Sequence, residues 1–251
     1  HEWVNCISEE CYEYIMNAHI RMVAEEGLDE FTEVTADSFS VWADTAWPTD
    51  SNMILRLLSR AWYYAHKLPQ FDLPTFSNAY IKKGGREPVI GYKPQVMRSS
   101  EGFITAFELE TGNPADSARL LPLTWQHIER TGVGPSTVSV DDGYSSHVNR
   151  KAVRDLQVDV ISMNGSTGKR ITPQQEWESD LYEDARNKRS AVESLVFTLR
   201  FKFHLYRFSR REIAAVRVEL YEKVIAHNLW RAVLLRKRAA AQERLKAASG
   251  F

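Results

Sequence analysis

Between residues 87 and 200 the chain alternates period-two apolar runs with helix-period segments, and this alternation restricts it to a mixed sheet with helices on its faces. Two strands near 87–97 and 102–110 are joined by Ser99-Ser100-Glu101-Gly102, which reads as a hairpin. Asn113-Pro114-Ala115-Asp116 is a turn into a helix at about 116–130. A strand at 136–141, a helix at 147–156, a strand at 157–162 and a polar loop to about 174 lead into further helix. Connections of this kind place consecutive strands side by side and parallel, which gives an α/β fold.

The flanks are simpler. A helix at 8–27 carries Tyr14, Ile15, Ala18, Met22 and Val23 at helical spacing and stops at Gly27. A strand-type run from Phe31 to Trp42 follows. Pro48-Thr49-Asp50-Ser51 supplies a turn and N-cap for a helix at roughly 51–66, with Ile54, Leu57, Leu58 and Ala61 as its stripe. Residues 67–86, with two prolines and Gly84-Gly85, read as a connecting loop, and 209–246 as one long or broken helix. The expected organisation is an N-terminal helical segment (1–30), a catalytic domain (31–208, with a helical insertion at about 44–83) and a basic C-terminal tail (209–251).

At 251 residues and 43% hydrophobic composition, the chain can bury the core of one large domain, with or without an insertion. No run of 18 apolar residues is present, which argues against a membrane-spanning helix. The start lacks a Met and a signal-peptide core, so the sequence reads as a fragment with an upstream region missing. Cys6 and Cys11 are five apart on a helical segment and do not face each other, which fits a reducing, cytoplasmic setting. The net charge of −1 hides an asymmetry. Residues 186–251 hold 16 Lys and Arg against 5 Asp and Glu, a surface suited to a polyanion.

Three acids stand out by position. Asp37 lies inside a β-type run, where Asp is depleted and a buried carboxylate is costly. Asp141 ends the run Ser136-Thr-Val-Ser-Val-Asp141, ahead of the turn Asp142-Gly143-Tyr144-Ser145. Glu193 lies on a helical segment from Arg186 to Arg200, one position off the stripe Val192, Leu195, Val196, Leu199. Two carboxylates from strand ends and one from a packed helix suit two Mg²⁺ or Mn²⁺ ions about 4 Å apart, the geometry for in-line attack on a phosphodiester. Arg186, Arg189 and Arg200 share the Glu193 face, where guanidinium groups can hold phosphate oxygens.

The order of strand with Asp, hairpin, helix, strand ending in Asp, helix, strand and helix with Glu is ribonuclease-H-like. On these motifs the chain resembles the DDE-type transposases of bacterial insertion sequences from about residue 30 to residue 238. Asp37-Ser38 and Trp47-Pro48-Thr49-Asp50-Ser51 are similar to the stretch around the family's first acid. Gly91-Tyr92-Lys93 and Gly112-Asn113-Pro114-Ala115-Asp116-Ser117 are similar to its central signatures. Asp141-Asp142-Gly143-Tyr144-Ser145 with Asn149 resembles the second-acid motif, Arg189-x3-Glu193-x6-Arg200 the third, and Ala226-His227-Asn228-Leu229 the closing helix.

The resemblance implies a transposase that cleaves DNA at element ends and transfers the strand. Asp37, Asp141 and Glu193 would be its catalytic metal ligands, and its partners would be double-stranded DNA and a second protomer. Lys93, Arg189, Arg200, Asn149, Lys169 and Arg170 are expected at the DNA, and the location would be the bacterial cytoplasm with its nucleoid. Departures include Arg186 where members often carry Tyr, Arg200 where they carry Lys, and Asp142 at a position often basic in relatives. Two other readings are a relic that binds DNA without catalysis and a ribonuclease-H-like nuclease without strand transfer. Gly165-Ser-Thr-Gly-Lys-Arg170 has two residues, not four, before Gly-Lys and no following Ser or Thr, which excludes a nucleotide-phosphate loop. The histidines show no zinc-type spacing. Asp50 and Asp116 are expected as helix caps, and the tryptophans as core.

Overall fold

The computed structural model describes residues 7–43, 58, 61, 63, 80–82 and 89–249. Ser8 caps the first helix, α1 (Glu9–Glu25), and Gly27 at φ +64° ends it. Its buried face is Met16, His19, Ile20 and Val23, whereas Tyr14, Ile15 and Ala18 are exposed. The stripe read from the sequence is therefore right only at its end, where Val23 is buried and Met22 packs against the core. Both faces of α1 carry apolar residues, and packing against the C-terminal helix selects the one with Met16, Ile20 and Val23.

The strand-type run 31–42 splits at Phe39-Ser40 into β1 (Glu33–Ser38) and β2 (Val41–Trp42). The run at 87–97 likewise splits at Lys93-Pro94 into β4 (Val89–Tyr92) and β5 (Gln95–Ser99). Proline lacks the ladder N–H and marks the second break, where the chain changes sheets. The two breaks meet, since Phe39 N–H donates to Pro94 O at 3.1 Å. A strand, β3 (Tyr80–Lys82), also lies within the stretch read as loop. Most of 44–83, including Asp44, Asp50 and the expected helix at 51–66, lies outside the described residues. Leu58, Ala61 and Tyr63 are described there, and they are helical.

Two sheets result. The small antiparallel one runs β2-β4-β3, and Gly91 allows the close approach of β4 to β2, because a Cβ there would meet Val41 O at 1.9 Å. The large mixed sheet runs β6-β5-β1-β7-β8, with β6 (Ile104–Glu108), β7 (Thr137–Val140) and β8 (Val160–Met163). The expected hairpin joins β5 to β6. β1 is antiparallel to β5 and parallel to β7, and β7 is parallel to β8.

Side chains alternate across this sheet. Val34, Ala36, Met97, Val138 and Val140 pack in one cluster with α2 (Leu120–Thr131) and α3 (His147–Asp155). Val96, on the opposite face, joins the cluster of α1, α7 (Ser190–Phe201) and α8 (Ile213–Ser249). Between β8 and α7 lie α4 (Ser166–Ile171), in what the sequence reads as a loop, α5 (Gln174–Trp177) and α6 (Asp180–Lys188). The helical segment expected from Arg186 onward is two helices meeting at Arg189.

α8 buries Val216, Leu220, Val224, Asn228 and Ala232 at a spacing of four. Asn228 accepts from Ile104 N–H and donates to Ile104 O, both at 2.8 Å, which fastens the helix to β6. Past the Arg236–Glu26 ion pair (2.6 Å), residues 237–247 are all exposed. None of the described tryptophans, Trp42, Trp125, Trp177 and Trp230, is buried, contrary to the core reading. Among the described residues no helix is long and apolar enough to cross a membrane.

Candidate active site

Register brings the first two acids together. Ala36 pairs with Val140 across the parallel β1–β7 ladder, so Asp37 and Asp141 are the next residues of neighbouring strands. They lie at the carboxyl ends of these strands, where open α/β sheets present their ligand crevice. Alternation turns Asp37 to the same side as Thr35 and Val96, away from Val34 and Ala36 and towards α7.

Neither carboxylate sits comfortably. Burial pushes the Asp37 pKa up to about 6; Ser38 N–H (2.7 Å to Oδ1) and Arg189 oppose this, and the charges of Asp141 and Asp116 add to it. Burial also raises Asp141, against the Gly143 N–H bond (3.0 Å) and Arg189. Two half-desolvated acids, Asp37 raised further by Asp141 and both by Asp116, form a site that favours a cation.

In this structure the cation is Arg189. Its Nη2 lies 3.4 Å from Asp37 Oδ2 and its Nη1 3.5 Å from Glu193 Oε1, so one guanidinium spans the two acids. Its buried Nε finds no acceptor among the described residues. Arg189 sits at the α6–α7 junction and Glu193 one turn on. The Glu193 side chain is 67% exposed, while Val192, Leu195 and Leu199 are buried. The three acids thus occupy one end of the sheet, yet no three His, Cys, Asp or Glu among the described residues form a group able to hold a metal ion.

The other sequence-derived positions divide. Arg200 donates to Ser40 O at 2.9 Å and lies 5.9 Å from the Phe39 ring centre, pinning α7 to the β1–β2 corner. Arg186 turns away to the Trp177 ring (5.1 Å). Asn149 is buried, with its amide donating to Ser117 O (2.6 Å) and Tyr144 O (2.8 Å). Lys169 and Arg170 are exposed on α4. Asp142, next to Asp141, accepts from Thr167 N–H (3.2 Å) and Gly168 N–H (2.9 Å) at the start of α4, bonds that favour its charged form.

Asp116 is the residue the sequence reading misplaces. It caps no helix, since the turn Asp116–Ala118 has no side-chain cap. Its Oδ1 instead accepts from Lys93 Nζ (2.7 Å) and Gln95 Nε2 (3.0 Å), and Tyr144 OH donates to Gln95 Oε1 (2.8 Å). The Gly-Asn-x-x-Asp signature was the available signal for it.

Comparison with known proteins returns one family. Residues 66–229 match the model of the transposase DDE domain, a span that holds Asp141, Glu193, Lys93 and Asp116, while Asp37 precedes it. No curated protein and no solved structure matches the chain. The match covers more than half of the 251 residues, and the chain therefore belongs to the transposase DDE domain family.

Proposed function

We propose that the protein is a ribonuclease-H-like transposase that cuts DNA at the ends of an insertion sequence and joins the freed 3′ ends to target DNA. One observation carries the reading: Asp37 and Asp141 stand side by side at the ends of adjacent parallel strands, desolvated and facing the helix of Arg189 and Glu193. The strand order, with the Asp37 strand central, a hairpin on one side and two parallel strands on the other, supports the architecture.

The donor set suits Mg²⁺ or Mn²⁺, because carboxylate oxygens are hard ligands and this pair lacks a full complement of countercharge. Two such ions, when bound, supply activation of a water or a DNA 3′-hydroxyl and stabilisation of the leaving oxygen. Asp37 and Asp141 would hold the shared position, and Glu193 would join once Arg189 releases it. Arg189 would then turn to the phosphate, for which a planar fork of donors is suited. Lys169 and Arg170, exposed on α4 beyond the Asp142 turn, would meet the DNA backbone. Arg200 we assign to positioning α7, and Asn149 and Lys93 to shaping the site, since their polar groups are engaged within the protein. The exposed basic end of α8 would add affinity independent of sequence, and a homodimer would bring two ends together.

Plasmid nicking and strand transfer with pre-cut ends, in Mg²⁺ or Mn²⁺, test the proposal against Asp141→Asn. Metal-dependent nicking and joined products from the wild type, both lost in the variant, are the expected result. Nicking without joining would leave a nuclease. A second reading, a relic that binds DNA without cleaving it, draws support from the Arg189 bridge that separates Asp37 from Glu193. DNA binding without any metal-dependent nicking would establish it.

A further inference from the structure

We propose that Lys93 and Asp116 form a positioning pair that sets the spacing of Asp37 and Asp141, rather than Lys93 meeting DNA phosphate. This rests on the active-site reading above. Lys93 occupies the two-residue break between β4 and β5, beside the break that follows Asp37. Its ammonium reaches Asp116 at 2.7 Å and Pro114 O at 3.3 Å, and only 15% of its side chain is exposed. A lysine so enclosed presents little charge to a passing phosphate.

Asp116 in turn leans on the second acid. A Cβ built on Gly143 would lie 2.9 Å from Asp116 Oδ2 and 3.1 Å from Asp141 Oδ1, so the bare glycine is where the two carboxylates approach. Asn149 ties the two turns together by donating to Ser117 O and Tyr144 O. Gln95 closes the circuit. It pairs with Ser38, next to Asp37, and bonds both Asp116 and Tyr144. The strand of Asp37 and the turn of Asp141 are thus braced through one polar layer on the sheet face opposite Glu193.

The charges point the same way. Asp116 is a third carboxylate near Asp37 and Asp141, and the Lys93 ammonium is its direct neutralising partner. Unpaired, it would repel both acids and displace the Gly143 turn. The two short signatures holding Lys93 and Asp116 then have a single physical role.

A double-mutant cycle tests the pair. Lys93→Gln, Asp116→Asn and the double variant are compared by amide hydrogen exchange at Gly143–Ser145 and by the Mn²⁺ dependence of nicking. Each single variant is expected to speed exchange at the turn and slow nicking about 30-fold; the double, with neutral side chains that can still bond, recovers to within about 3-fold of wild type. Lys93→Gln is further expected to leave metal-free DNA affinity within about 2-fold, and Lys93→Arg to keep most of the rate, because a cation still neutralises the Asp116 carboxylate.

Effects that multiply in the double variant, or DNA affinity lost with Lys93→Gln and not recovered in the double, would overturn the pair. Unchanged exchange at the turn in both single variants would overturn it as well, even in a protein that does not cleave. Wild type against Asp141→Asn in the same nicking assay reads the active site separately.

Discussion

The two halves of the candidate site are built differently. Asp37 and Asp141 are set by a strand ladder whose register cannot slip by one residue without turning every side chain to the other face. Glu193 and Arg189 hang on a helix junction, with contacts of 3.4–3.5 Å and an acid that is largely in water. The strand half is preformed and electrostatically strained; the helix half rests on a packed helix whose Glu193 side chain is open to solvent. Under the proposed function, cation and phosphate would draw Glu193 towards the strand acids as Arg189 leaves it.

The largest expected contrast is in cleavage. Asp37→Asn and Asp141→Asn each lower metal-dependent nicking by about 10³-fold or more, while DNA binding is kept or strengthened because a negative charge near phosphate is gone. Next come changes of length. Asp141→Glu, forced to fit in the tight turn at the end of β7, loses about 10²-fold, whereas Glu193→Asp loses only about 10-fold because its exposed side chain can re-aim. Equal losses would erase the distinction between the halves.

Stability gives a third contrast. The folded pKa of Asp37, about 6, lies above its ordinary 3.8, so the protonated acid favours folding. That contribution is whole below pH 3.8 and is lost as pH rises through about 6. Asp37→Asn should therefore stabilise the metal-free protein at pH 7 by on the order of 2 kcal/mol and do little at pH 3.5. Glu193→Gln, on an exposed side chain, should change stability by less than about 0.5 kcal/mol. Chemical denaturation at the two pH values reads both. The smallest effect concerns the tail: truncation after Arg236 removes Lys237, Arg238, Arg244 and Lys246, and the salt dependence of DNA affinity should flatten by a few units of slope.

Much of this was legible in the sequence, for identifiable reasons. Asp37 and Asp141 show themselves because a carboxylate inside a strand-type run, or ending an apolar one, contradicts its surroundings, and the hairpin and alternating elements point to the large sheet. The breaks at Phe39-Ser40 and Lys93-Pro94 were hidden because both sides of each are strand-like, and only tertiary pairing sends them to different sheets. The phase of α1 was legible only at Met22 and Val23 because apolar side chains occur on both its faces. Asp116 was misread because a helix cap and an ion-pair partner look alike before a helix. What separates them is Lys93, 23 residues upstream and 2.7 Å away.

The central claim is that Asp37, Asp141 and Glu193 share divalent ions. Its most direct test is anomalous scattering from crystals of the DNA complex grown with Mn²⁺. The expected result is manganese between the Asp37 and Asp141 carboxylates, with Glu193 joined to it and Arg189 moved onto phosphate. Manganese absent from that gap in a DNA-bound, cleavage-competent complex, or bound elsewhere with Arg189 still bridging Asp37 and Glu193, would contradict it.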